Sequence, residues 1–172
     1  LGVSLTGILD NKWMSEINDD TKQKLEQLKQ AAVKTNADLS VLLGIPQSTS
    51  ITCVKPSGTV SQLVNSASGI HTRHSPYYIR RVRGDKKDPL THFLKEAGIP
   101  TEDCVMKPDS TAVFSFPIKS PDGCKVREDL TAVDHLELWM MYQKHWCEHK
   151  PSVTISVKED EWLDVGAWVW NN

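Results

Sequence analysis

The sequence predicts an α/β fold with parallel strands, either a layer or a barrel. Stretches with helical periodicity alternate with short β-branched runs along the whole chain. The run at residues 51–54 also leads through Pro-Ser-Gly-Thr straight into a helical start, the strand–turn–helix succession of parallel sheets. Composition adds a third observation: 172 residues, 39% hydrophobic and 24% charged, suffice for a packed core. No repeat, low-complexity tract or linker divides the chain, so residues 1–172 read as a single unit.

Each element has a local reason. Residues 1–9 alternate apolar and small side chains, a strand that ends at the Asp10-Asn11 turn. Asp19 or Asp20 caps a long helix whose Leu25, Leu28, Ala32 and Val33 share a face, and Gly44 with Pro46 ends it. Residues 51–54 form a short buried strand, and 59–64 begin a helix with Ser57 placed to cap it. Residues 77–83 (YYIRRVR) form a strand, and Asp88-Pro89 opens a short helix closed by Gly98 and Pro100. Residues 111–118 form another strand, followed by a Pro-Asp-Gly turn. Thr131 with Asp134 opens a helix through Cys147 that buries Leu136, Trp139, Met140 and Trp146. Pro151 breaks it, residues 152–158 form a strand, and Glu159 or Asp160 opens a last helix.

Composition excludes several functions. A formal net charge of −2 gives no global attraction for a polyanion. No apolar run is long enough to span a bilayer, and the start lacks the basic flank of a secretory signal, so a cytoplasmic setting is expected. Cys53, Cys104, Cys124 and Cys147 are irregularly spaced without a CxxC pair, which predicts reduced thiols rather than a disulfide framework or a zinc site. Cys53 reads as a small buried hydrophobe. His145, Cys147 and His149 cannot converge on a metal from one helix, because Cys147 projects away from the shared face of the two histidines. Trp139, Trp146, Trp162 and Trp168 fit helix faces as core residues.

The turn at residues 56–61 carries the chemistry. A glycine turn between a strand and a helix presents unpaired N–H groups to an anion. Gly58 allows close approach, Ser57, Thr59 and Ser61 add hydroxyls, Pro56 stiffens the entry, and Lys55 adds charge. The same residues also read as an ordinary capped turn. The turn matches neither the GxxxxGK[ST] loop nor GxGxxG. The competing reading is a non-catalytic nucleotide- or RNA-binding module that uses the Ser57 to Ser61 turn and the Arg80 to Arg83 strand, within residues 77–84 where aromatics interleave with arginines, although a strand splits those charges between two faces.

Taken together, "TCVKPSGTVSQLVNSASGIHTRHSPYYIRRVRGD", "VFSFP" and "LELWMMYQKHWCEHKPSVTISVKEDEWLDVGAWV" resemble the large catalytic subunit of ribonucleotide reductase. The likeness is nearest to the adenosylcobalamin-dependent (class II) enzymes of the monomeric ribonucleoside-triphosphate reductase type. It implies part of a ten-stranded α/β barrel, its C-terminal portion, truncated at both ends. It also implies reduction of ribonucleotides to 2′-deoxyribonucleotides by a cysteine thiyl radical, with adenosylcobalamin as cofactor and a thioredoxin-type reductant. The substrate is a ribonucleoside tri- or diphosphate, with no membrane or nucleic-acid partner. In the resemblance, Pro56, Ser57, Gly58, Thr59, Val60 and Ser61 bind the substrate phosphates. The family's radical cysteine, in a Cys-x-Glu loop, has no match here and is expected upstream of Leu1. This chain is therefore expected to carry no catalytic residue and no metal ligand, and to be inactive alone.

Overall fold

Val3–Ser4 (β1) and Thr52–Cys53 (β2) pair in parallel, Val3 opposite Thr52 and Ser4 opposite Cys53, in a structure that is a computed structural model and describes residues 2–172. The expected strand over residues 1–9 is thus shorter, and its first residue lies outside the described ones. Gly7, at φ 69°, turns the chain into a 3-10 turn at Ile8–Asp10. A side chain at Gly7 would meet Ser66 Oγ, a hydroxyl that can rotate away, so it is the backbone angle that requires glycine.

Helix α1 spans Asp19–Leu43. Its cap is Asn18, which accepts from the Thr21 N–H at 2.8 Å, rather than Asp19 or Asp20; these sit in the first turn and pair with Lys22 and Lys24. Gly44, at φ 64°, ends the helix as expected. Of the predicted apolar face only Leu25 is buried, while Leu28, Val33 and the run Val41, Leu42 and Leu43 are exposed.

Helix α2 is a single turn, Val60–Leu63. Helix α4, counted after the elements of the second unit below, spans Ala132–His145 and is opened by the predicted capping box of Thr131 and Asp134. Its buried face is turned from the predicted one: His135, Leu138, Met141 and Tyr142 are buried and Leu136, Trp139 and Met140 half-buried, while of the predicted residues Trp146, just past the helix end, is buried as expected. Leu138, Met141, Tyr142 and Trp146 join Ile8, Leu9, Leu25, Val54 and Ile70 in one core, with Trp139 packed against it. Residues 152–158 alternate half-buried Val153, Ile155 and Val157 with exposed neighbours, yet they pair with no strand among the described residues, which corrects that expectation. The period of two is present; a neighbour to complete the ladder is not. Trp162–Asn171 (α5) has no buried residue, and Trp162, expected in a core, is exposed.

Residues 74–120 form a second compact unit, distinct from residues up to 73 with 121–172, where the sequence reads as one unit. Tyr77–Asp85 (β3), Thr101–Asp103 (β4) and Thr111–Lys119 (β5) make an antiparallel sheet in the order β3-β5-β4. The expectation of parallel strands fails here, since β5 runs antiparallel to both neighbours; for β4 and β5 the connection is too short for a crossover. The predicted helix (α3, Pro89–Glu96) is capped by Asp88, which accepts from the Leu90 N–H. It lies so close to the sheet that a side chain at Gly84 would meet Thr91 Oγ1 at 2.9 Å and Phe114 at 3.2 Å. No helix of the described residues is long and apolar enough to cross a membrane.

Candidate functional site

The chain leaves β2 through Val54, which is buried, and Lys55, which is exposed. The Lys55 N–H donates to Ser4 Oγ at 2.9 Å, tying the start of the turn to β1. The Ser57 N–H donates to Ser68 Oγ at 2.6 Å. Ser57 Oγ accepts from the Ser61 N–H at 2.9 Å, and Ser61 Oγ donates back to the Ser57 carbonyl at 3.1 Å. The N-cap position falls on Thr59, without a side-chain cap bond, rather than on the expected Ser57; from two residues earlier Ser57 still supplies the acceptor for the Ser61 N–H, and the buried Ser61 hydroxyl is spent inside the turn.

Between them lie Gly58, Thr59 and Val60, all exposed. The N–H groups of Thr59 and Val60 have no acceptor among the described residues. Because α2 is one turn long, its macrodipole is small, and what the site offers an anion is separate amide and hydroxyl donors. Gly58 is required neither by a positive φ nor by packing, since a side chain there meets nothing within 4 Å. The space beside it is open.

All six predicted residues, Pro56 to Ser61, line one cleft of about 440 Å³ together with Ser4, Thr6, Lys55 and Val64. Lys55 is its one charged lining residue among the described residues. Ser4, Thr6 and Ser68 escape a reading of the turn alone. Alternation along the first strand places Ser4 and Thr6 on one face, but only the parallel pairing brings that face beside residue 55.

The other conspicuous residues gather elsewhere. Cys53 and Cys147 are buried, as is Cys104, whose surroundings read as a loop in the sequence. Burial pushes the Cys147 thiol up to about 11, with Cys53 adding to the shift. The N–H groups of Met106 and Lys107, with Arg83, hold the Cys104 thiol below its ordinary value. His145 pairs with Glu26 at 2.6 Å, and among the described residues no group of three His, Cys, Asp or Glu side chains can hold a metal ion. On the exposed sheet of the second unit, Arg81 pairs with Glu102.

No protein-family model matches the chain. Curated proteins do. The chain is 33% identical over 159 residues to the adenosylcobalamin-dependent ribonucleoside-triphosphate reductase of Euglena gracilis, covering 91% of this chain and 21% of that protein. It is 38% identical over 114 residues to the probable enzyme of the same name from Dictyostelium discoideum, covering 66% and 15%. The Lactobacillus leichmannii enzyme is 32% identical over 142 residues, covering 80% and 19%. A crystal structure of a B12-dependent (class II) ribonucleotide reductase superposes with a TM-score of 0.76 at 29% identity, over 90% of this chain and 22% of the other. The chain therefore spans about a fifth of the length of the relatives it matches.

Proposed function

We propose, for a chain that belongs to the adenosylcobalamin-dependent ribonucleotide reductase family, that it forms the part of such a reductase that holds the substrate's phosphates. The observation that carries the reading is the cleft at Pro56 to Ser61 with its unpaired amides, in a chain related to ribonucleoside-triphosphate reductases. The Thr59 and Val60 amides, the Thr59 hydroxyl and Lys55 supply donors and charge for a triphosphate. Ser57 and Ser61 keep the turn in shape. In this reading β1 and β2 are neighbouring strands of a ten-stranded α/β barrel.

The reductase converts ribonucleotides to 2′-deoxyribonucleotides in the cytoplasm of a bacterium or phage-infected cell, with a thioredoxin-type dithiol as reductant. Its radical is carried by a cysteine thiyl that we assign to none of Cys53, Cys104, Cys124 or Cys147. Adenosylcobalamin supplies that radical when bound. We assign none of the described residues to hold it: His71 donates to the Ser68 carbonyl and accepts from the Thr154 N–H, His135 contacts the Ile70 carbonyl, and His145 is paired with Glu26. Against the RNA-binding alternative, Arg81, one of the three arginines of the strand, already has an acidic partner in Glu102.

Gly58→Val tests the reading without disturbing the chain's own packing. Calorimetric titration with a ribonucleoside triphosphate should show affinity lowered about tenfold or more, with an unchanged thermal midpoint. Equal affinity for the variant and the parent chain would remove the turn from the site.

A further inference from the structure

Behind the turn, residues 65–69 return to the start of the chain and are held there by a buried ion pair. Arg73, 4% exposed, grips Asp10 with two bonds, Nε to Oδ1 at 3.0 Å and Nη2 to Oδ2 at 2.8 Å. The same guanidinium donates to the carbonyl of Asn65 at 2.6 Å and to its Oδ1 at 3.2 Å. Asn65 sits at φ 48°, a left-handed conformation that asparagine tolerates and that ends α2. Asp10 Oδ2 accepts in addition from the Ala67 N–H at 2.6 Å. Thr6 Oγ1 donates to the Ala67 carbonyl and accepts from the Gly69 N–H, both at 2.9 Å. Gly69 completes the return at φ 55°, where a side chain would stand 3.0 Å from the Lys55 carbonyl.

Ser68 is the residue this framework presents to the turn. Its hydroxyl accepts the Ser57 N–H and so fixes the peptide plane from which Gly58, Thr59 and Val60 follow. We propose that Ser68 is a positioning residue for the phosphate-holding turn, its hydroxyl fixing the Ser57 amide while the Arg73–Asp10 pair fixes the segment that carries Ser68. This inference rests on the phosphate reading of the turn and adds a residue outside the cleft's lining. The turn alone is short and exposed, and one helical turn has little intrinsic stability. Its aim toward an anion comes from the buried framework behind it.

Ser68→Ala removes only the link, whereas changing Arg73 strips a buried carboxylate of its partner and threatens the whole segment. The experiment titrates the 172-residue chain with inorganic tripolyphosphate and follows backbone amide resonances. The parent chain binds. Ser68→Ala binds about fivefold more weakly, the resonances of Ser57, Gly58 and Thr59 shift, and those of Ile8, Leu25 and Tyr142 stay in place. Ser68→Thr, which keeps a hydroxyl, restores the affinity. Absence of binding by the parent chain overturns the phosphate reading and this inference with it. Binding by the parent, with Ser68→Ala equally tight or Ser68→Thr no tighter than Ser68→Ala, overturns the role of Ser68 alone. A shift of the core resonances in Ser68→Ala overturns it too, marking the contact as general support of the fold.

Discussion

The Glu148 carboxylate stands where the carbonyls of another strand would stand. Its Oε2 accepts from the N–H groups of Ile51 and Thr52, each at 2.7 Å, and from Thr52 Oγ1 at 3.0 Å, while its own N–H donates to the Thr52 carbonyl. The sequence shows Cys147-Glu148 only as an adjacent pair; the fold makes the glutamate a clamp on the strand that leads into the turn. The Thr52 N–H, above all, holds this carboxyl below the usual glutamate range. A depressed folded-state pKa stabilises the native state above the unfolded value of 4.5 and loses that contribution as pH falls through the folded value. Because Glu148 is exposed and its bonds are screened by solvent, Glu148→Ala should cost about 0.5–1 kcal/mol at pH 7. The gap between variant and parent should close below pH 4.5 in urea melts taken at several pH values; a gap that stays constant with pH would contradict the clamp.

At the scale of elements, the phase of α4 separates pattern from packing. Leu136, Trp139 and Met140 form a plausible stripe by spacing, but the helix turns His135, Leu138, Met141 and Tyr142 inward. Both stripes are apolar, so periodicity alone does not choose between them. Polar anchors do: Tyr142 Oη donates to the Met14 carbonyl at 2.9 Å, and the Trp146 indole donates to the Cys53 carbonyl at 2.7 Å. The Trp139 indole reaches the Pro151 carbonyl from the half-buried side. Leu138→Ala should cost about 2–4 kcal/mol and Leu136→Ala about 1 kcal/mol or less, measured by denaturant unfolding. Equal costs would put the helix in the other phase.

At the scale of the whole molecule, residues 74–120 begin and end together. The Ser120 N–H donates to the Pro76 carbonyl at 2.9 Å, Ser120 Oγ donates to the Ser75 carbonyl at 2.8 Å, and Tyr77 lies opposite Lys119. Within the other unit, Arg73 and Val126 form a parallel bridge. A unit with joined ends can be removed with little loop-closure cost to what remains. Replacing residues 76–119 with a short glycine-asparagine turn should leave the core of Ile8, Leu25, Leu138 and Trp146 folded, with cooperative thermal unfolding. Loss of that transition would show that the two units depend on each other for stability.

Local chemistry carried much of this molecule in plain view. The Thr131–Asp134 box, the Asp88-Pro89 start, the Gly44 stop and the strand–turn entry at Thr52 are signals that a few adjacent residues satisfy among themselves, so the sequence by itself determined them. The turn from Pro56 to Ser61 was legible for the same reason, whereas the likeness to ribonucleotide reductases came from motifs spread along the whole chain. Tertiary structure decided the rest. Whether strands run parallel or antiparallel, which stripe of α4 goes inward, whether residues 152–158 find a partner, and that Ser4, Thr6 and Ser68 meet the turn all depend on groups far apart in the chain. A side chain's spacing records which neighbours it can accept; only the packed fold brings one of them within hydrogen-bonding distance.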